Sequence, residues 1–228
     1  MLYNRPHYNL KPFQNKKKSN NKSSQESIYE TDIDNTPLMQ NNNSDKSVTV
    51  DGNHIYFHSG VNDESVAKLI VIINNKNNEL KRLQKNELIN TITPNNLWLH
   101  ITSYGGGLFA CFRAIDAILN SELPIYTIVD GYAASAGTLM AAVGKKRYMT
   151  ANSYMLIHQL SSGGQGNFWQ LKDKYDNWTL LMEDIYNIYL THTKMTREEL
   201  EGYLSHDSWW KLDKCVECGL VDGVYKGQ

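Results

Sequence analysis

The chain has 228 residues, 41% of them apolar, with five Trp and fourteen Tyr, enough for one sizeable core with a tail attached. Its 23 basic and 24 acidic residues leave a formal net charge of −1, which argues against a nucleic-acid binder held by phosphate neutralisation, and no basic stripe interleaved with aromatics marks the apolar-rich part. No apolar run approaches the roughly 20 residues that span a bilayer, no secretory leader opens the chain, and Cys111, Cys215 and Cys218 are too few and too unevenly placed for a disulfide framework, so a soluble chain in a reducing cytoplasm or organelle matrix is expected.

Residues 1–46 are rich in Asn, Lys and Ser, as in "NKKKSNNKSSQES", with few apolar residues to offset the entropy of ordering. They read as a disordered leader. Its first 25 residues carry Arg5 and five Lys without Asp or Glu, so a transit peptide is one reading and a solvated tail or trimmed propeptide the plainer one. The folded part is expected over residues 47–228.

From residue 47 the periodicities alternate. "SVTVDGNHIYFHS" reads as a strand, an Asp51-Gly52 turn and a second strand, and "VNDESVAKLIVIINNKNNELKRL" as a helix capped by Asn62 or Asp63. "NLWLHITS" is a strand ending in "YGGG", followed by a helix over "LFACFRAIDAIL", a strand over "PIYTIVD" and a helix over "AGTLMAAVG". "KRYMTANSYMLIHQ" supplies two short strands, "NFWQLKDKYDNWTLLMEDIYNIYLTHT" a long helix, and "TREELEGYL" a helix with a Thr196/Glu199 capping box. The class is α/β.

Two strand-to-helix turns, "SYGGGL" at 103–108 and "ASAGTL" at 134–139, expose backbone N–H groups at helix starts. A Ser at such a turn, Ser135, stands beside donors suited to the oxyanion of an acyl-transfer intermediate. His158, at the end of an apolar strand, is a candidate base, and Asp207, flanked by aromatic bulk that would exclude water, a candidate orienting acid. On the residues alone, a Ser placed like Ser135 is more often a helix N-cap and a strand His like His158 more often a hydrogen-bonded core residue. "YGGG" lacks the Lys-Ser/Thr of a P-loop, and Ala133 breaks the G-x-S-x-G elbow of the α/β-hydrolases. Cys215-x-x-Cys218 has no second ligand pair for zinc and reads as core packing, with no metal expected.

"GYAASAGTLM", then "ANSYMLIHQ", the glycine-rich "SSGGQG" and "HDSWWKLDKCVECGLVD" resemble, in that order, the proteolytic subunits of the ATP-dependent Clp proteases, the ClpP family. The resemblance spans about residues 47–226. It implies a serine endopeptidase with a right-handed spiral of ββα units, shared with the crotonases, and a protruding helical handle at "SSGGQG" and the helix behind it, with Trp169 and Trp178 in its packing. It further implies Ser135 as nucleophile, His158 as general base, Asp207 as the orienting acid, and the backbone N–H groups of Gly106 and Ala136 as oxyanion donors. The implied assembly is a homo-oligomer of stacked heptameric rings that degrades unfolded polypeptides. A partner AAA+ unfoldase, rather than this chain, uses ATP, so no cofactor is expected here. Tyr104 stands where the family has Pro, and a polar insertion near residues 74–96 lengthens the chain where a partner could dock. The alternatives are a phage-type capsid-maturation protease of the same family, a crotonase-like acyl-CoA enzyme and a noncatalytic ring subunit.

Overall fold

The chain was analysed as a computed structural model that describes residues 47–85 and 96–227; the expected leader and residues 86–95 of the insertion lie outside the described residues. The Asp51-Gly52 turn joins β1 (Val48–Asp51) to β2 (His54–His58) as an antiparallel hairpin. Asn62, one of the two expected caps, accepts the Ser65 N–H at 2.9 Å and opens α1 (Asp63–Lys85), so the first residues of the expected insertion continue this helix. Val66, Leu69 and Ile73 fall on one face of α1 at helical spacing, and all three are buried.

β3 (Leu97–Ser103) is buried almost throughout, as the near-continuous apolar run of a strand with neighbours on both edges and cover on both faces demands. α2 (Leu108–Leu119) follows, and then β4 (Ile125–Ala134), which runs four residues beyond the expected strand end at Asp130. α3 (Ala136–Ala142) is buried at every position. β5 (Lys146–Met149), β6 (Tyr154–Ile157), α4 (Phe168–His192) and α5 (Arg197–Leu204) follow in the expected order, and α5 carries the Thr196/Glu199 capping box. Two short strands were not foreseen, β7 (Ser208–Trp210) and β8 (Gly223–Val224), which flank α6 (Leu212–Glu217). Among the described residues no helix is long and apolar enough to cross a membrane.

The main sheet has the order β1-β2-β3-β4-β5-β8, parallel from β2 onward, with helices between successive parallel strands. β4 serves two neighbourhoods. Its first half pairs with β3 and β5, and its second half, Tyr132 to Ala134, pairs with β6, which in turn carries β7 antiparallel on its other edge. The change of partner falls where the β3–β4 register slips: two steps along β3, from Ile101 to Ser103, match four along β4, from Val129 to Ala133. The extra residues at Asp130 and Gly131 bend the strand. Thr102 Oγ1 donates to the Asp130 carbonyl and Ser153 Oγ accepts the Gly131 N–H at 2.9 Å, so the polar backbone groups of the bend are satisfied.

The far end of the domain is strapped by Arg147 on β5. Its side chain donates to Asp222 (Nη2 to Oδ1, 2.6 Å), to the Gly219 carbonyl at 3.0 Å and to the carbonyl of His192 at the end of α4. Burial pushes the Asp222 carboxyl up, but its hydrogen bonds to Arg147 outweigh this and hold it below the usual carboxylate range. Cys215 is fully buried in the core beside Leu220, as the packing reading of the Cys pair requires, and burial pushes its thiol up to about 12.

Arg147→Met removes this strap and is expected to cost about 2 kcal/mol, from lost hydrogen bonds to a charged group and stranded carbonyls. Because the folded pKa of Asp222 is depressed, its contribution is present above the unfolded value of about 3.9 and is lost as pH falls through the folded one. Urea midpoints should therefore differ between wild type and variant by a constant amount above about pH 5 and draw closer below about pH 4, leaving the gap due to the stranded His192 and Gly219 carbonyls. A gap that widens on acidification would contradict this assignment.

Candidate active site

Ser135 occupies the single residue between β4 and α3. Among the described residues it is the one non-glycine with positive φ (φ 53, ψ −125), a sparsely populated conformation that persists only where the surroundings enforce it. Here the enforcement comes from both sides. β4 feeds in along β6, the Ser135 N–H donates to the Leu156 carbonyl at 2.9 Å, and the fully buried α3 leaves at once. Ser135 stands at the N-cap of α3, yet its side chain makes no capping hydrogen bond, so capping does not account for its hydroxyl.

The glycine turn after β3 packs directly on this corner. Gly105 has φ 95, and a β-carbon built on it would lie 2.6 Å from Ser135 Cβ, 2.7 Å from the Ala134 oxygen and 2.9 Å from the Ala136 nitrogen. Only glycine lets two backbones approach so closely. Val61 fixes the turn from the opposite side, donating its N–H to Gly105 O and accepting from Gly107 N, both at 2.7 Å. In that parallel bridge the Gly106 N–H points away from Val61, and the N–H of Ala136, first in its helix, has no intrahelical acceptor. The two N–H groups expected as oxyanion donors thus belong to two backbone turns in mutual contact.

His158 follows β6 directly. β4 and β6 are parallel with Ala134 opposite Leu156, so Ser135 and His158 both lie at the C-terminal ends of neighbouring strands. Asp207 precedes β7, whose antiparallel register sets Ser208 opposite Ile157 and hence Asp207 opposite His158. His158 Nδ1 and Asp207 Oδ1 are 3.5 Å apart, and the Gln159 N–H to Leu204 carbonyl bond at 2.8 Å holds the neighbouring backbone. One expectation is corrected. The Asp207 side chain is 72% exposed against 20% for His158, so the flanking aromatic residues do not exclude water from the carboxylate.

The strand carrying this pairing, β7, was missed because three residues show no measurable alternation. The rings of Tyr104, Tyr132 and Trp209, gathered beside the pair, went unrecognised as a group for the same reason. A period-2 reading of "SYMLIH" against "DSWW" holds the only sequence signal for it.

Gly105→Ala is expected to cost about 3 kcal/mol, from a strained φ and a clash with three atoms of the Ser135 corner, seen as a lowered denaturant midpoint. Gly163→Ala, where an added β-carbon meets nothing within 4 Å, should change stability by less than about 0.5 kcal/mol. Equal shifts in the two variants would remove the case for a forced contact at Gly105.

The Clp protease family model matches residues 50–228. The ATP-dependent Clp protease proteolytic subunit 1 of Chlamydia abortus is 31% identical over 179 residues, covering 77% of this chain and 87% of the relative. The subunits of the same name from Chlamydia caviae and Chlamydia trachomatis are each 30% identical, over 79% and 77% of this chain and 90% and 87% of theirs.

Proposed function

The chain belongs to the Clp protease family, and on that premise we propose that it is a serine endopeptidase with Ser135 as nucleophile, His158 as general base and Asp207 as the acid that orients it. The observation that carries this reading is the Ser135 corner, an uncapped hydroxyl held at positive φ against a glycine turn and beside the strand end that bears His158. Nothing in packing or capping requires a serine there.

In the proposed reaction Ser135 Oγ attacks a peptide carbonyl while the His158 imidazole takes its proton through Nε2. Asp207, on the Nδ1 side, holds the tautomer and stabilises the imidazolium. The carbonyl oxygen turns toward the N–H groups of Gly106 and Ala136 as it gains charge. His158 then protonates the leaving amine, and water attacks the acyl-enzyme by the same steps in reverse. Tyr104 in place of the family's Pro leaves this donor pair in place, since both donors are backbone groups.

The 3.5 Å contact and the exposure of Asp207 support a site that tightens in an assembly. The first half of α4 fits this. Phe168, Trp169, Tyr175 and Leu180 are exposed there, a clustered apolar surface of the kind that soluble chains cover with a partner. We infer that this half of α4 and the glycine-rich 161–166 segment form the handle, that the ββα units wind as the family's spiral, and that copies of the chain stack as heptameric rings enclosing the sites. Unfolded polypeptides would be delivered by an AAA+ ATPase. No observation favours the acyl-CoA or capsid-maturation readings.

Ser135→Ala should abolish covalent labelling by a fluorophosphonate and peptide cleavage while leaving the native mass of the assembly unchanged. Labelling of the variant at wild-type level would sink the assignment. Asp207→Asn should lower kcat by up to ~10⁴ with KM little changed. Asp213→Asn, on the exposed first turn of α6, should be mild, and Asp222 is committed to Arg147. Inactivity of Asp213→Asn beside a near-normal Asp207→Asn would show that the orienting acid is misassigned.

A further inference from the structure

A trans peptide unit points its C=O and its N–H in opposite directions, so whatever holds the carbonyl of one residue aims the N–H of the next. The Gly106 N–H is aimed in this way by Val61, whose own N–H binds the Gly105 carbonyl at 2.7 Å. The Ala136 N–H shares its peptide unit with the Ser135 carbonyl, and there the hold is of another kind. Ser135 lies outside helical geometry (φ 53, ψ −125), the bond from the Leu139 N–H to its carbonyl is stretched to 3.4 Å, and the tighter backbone bond comes from the Thr138 N–H at 2.9 Å. The shortest contact on this oxygen comes from a side chain, Thr138 Oγ1 at 2.6 Å.

A threonine hydroxyl carries one hydrogen, and a carbonyl only accepts. Thr138 therefore directs its hydrogen to the Ser135 oxygen, and the 2.6 Å contact between Thr138 Oγ1 and the Tyr189 hydroxyl is a bond donated by Tyr189. Tyr189 comes from α4, and both residues are buried. An apolar ring would fill the space at 189 equally well, and a hydroxyl in so dry a place is costly unless it is bonded; its partner among the described residues is Thr138. Burial holds the phenol far above its ordinary range, so it stays a donor at any working pH. The next carbonyl, that of Ala136, accepts from the buried Cys111 thiol of α2 at 3.2 Å. Side chains from three helices thus hold the Ser135 and Ala136 carbonyls from inside the domain.

We propose that Tyr189, acting through Thr138, is a positioning residue that aims the Ala136 N–H at the oxyanion, an assignment that rests on the serine endopeptidase reading. The two hydroxyls in series lock the Ser135–Ala136 peptide plane against rotation about ψ of Ser135. A plane free to tilt still admits substrate, but it meets the charged oxygen with a poorly aligned donor, and a hydrogen bond weakens steeply as its angle closes. The loss therefore falls on kcat and spares KM. Among the described residues neither hydroxyl bonds to His158 or Asp207, so the ionisation of the general base is left as it was.

The test uses the full chain, with active sites titrated by fluorophosphonate at Ser135. It reads kcat and KM on a fluorogenic peptide, and inhibition by a peptide boronate, whose tetrahedral adduct on Ser135 places an oxygen where the oxyanion forms. Tyr189→Phe should lower kcat by about tenfold, part of the roughly 10²- to 10³-fold that deleting a whole oxyanion donor costs, weaken the boronate by about the same factor and leave KM within about twofold. Thr138→Val combined with Tyr189→Phe strands neither hydroxyl and should lower kcat by about a hundredfold, whereas Thr138→Ser keeps both bonds and should stay within about threefold. The pH profile of kcat/KM should keep its midpoint in every variant. Thr127→Val is the control for a merely structural effect: it removes a buried hydroxyl-to-carbonyl bond of 2.7 Å at the other end of α3, to Ala141, and should lower the denaturant midpoint without lowering kcat. Near-wild-type kcat in Tyr189→Phe, a loss carried by KM or by a shifted pH profile, or an equal loss of kcat in Thr127→Val overturns the positioning role while titration at Ser135 upholds the protease reading. Failure of the unaltered chain to label at Ser135 overturns both.

Discussion

The bend in β4 is the constraint on which the rest of the site depends. A single strand cannot stay in register with β3 and also reach β6 unless it gains residues on one side, and the slip at Asp130 and Gly131 provides them. Beyond the bend, Tyr132 to Ala134 run beside β6 and deliver the chain to Ser135, which turns it at positive φ directly into α3. The positive φ at Ser135 is the local cost of that geometry, held in place by α3, which is buried along its whole length. Thr138 ties α3 further inward through a 2.6 Å hydrogen bond to the buried Tyr189 of α4, whose hydroxyl is pushed well above its ordinary range by burial.

The same bend explains why glycine is needed at position 105, in the turn that follows β3. With Ser135 thrust outward, the turn after β3 must pass within contact distance of it, and no side chain fits between the two backbones. The approach leaves the Gly106 and Ala136 N–H groups close together, with no side chain among the described residues to satisfy them. An anionic oxygen that forms only during a reaction is the partner such a preorganised pair suits best.

Exposure divides the domain into a finished part and an unfinished one. The core behind the sheet is closed around residues such as Phe57, Leu99 and Met140, and Arg147 seals its far end through His192, Gly219 and Asp222. In contrast, the first half of α4 shows aromatic rings to solvent, and Asp207 meets His158 on an open surface. A polar contact that exposed is worth little by itself, so its proposed task needs either a neighbouring subunit or the substrate to exclude water from it.

Much of this was legible in the residues. Alternating periodicities located the two opening strands, the helices through α5 and the strands from β3 to β6, and the small-residue turns at 103–108 and 134–139 marked Ser135, while Gly106 and Ala136 were singled out by the resemblance to the Clp proteases. These features are local, written in spacing and in the conformational freedom of glycine. The β6–β7 register that sets Asp207 opposite His158, the slip in β4, the gathering of the Tyr104, Tyr132 and Trp209 rings and the exposure of Asp207 came only from the fold. Each depends on which strand lies beside which. β7 is three residues long and gains its order from β6, so its sequence alone carries no strand signal. Local sequence determined where the chain turns and which side chains seek the core, whereas the register between distant strands, set by packing across the whole sheet, decided which of the remaining side chains meet.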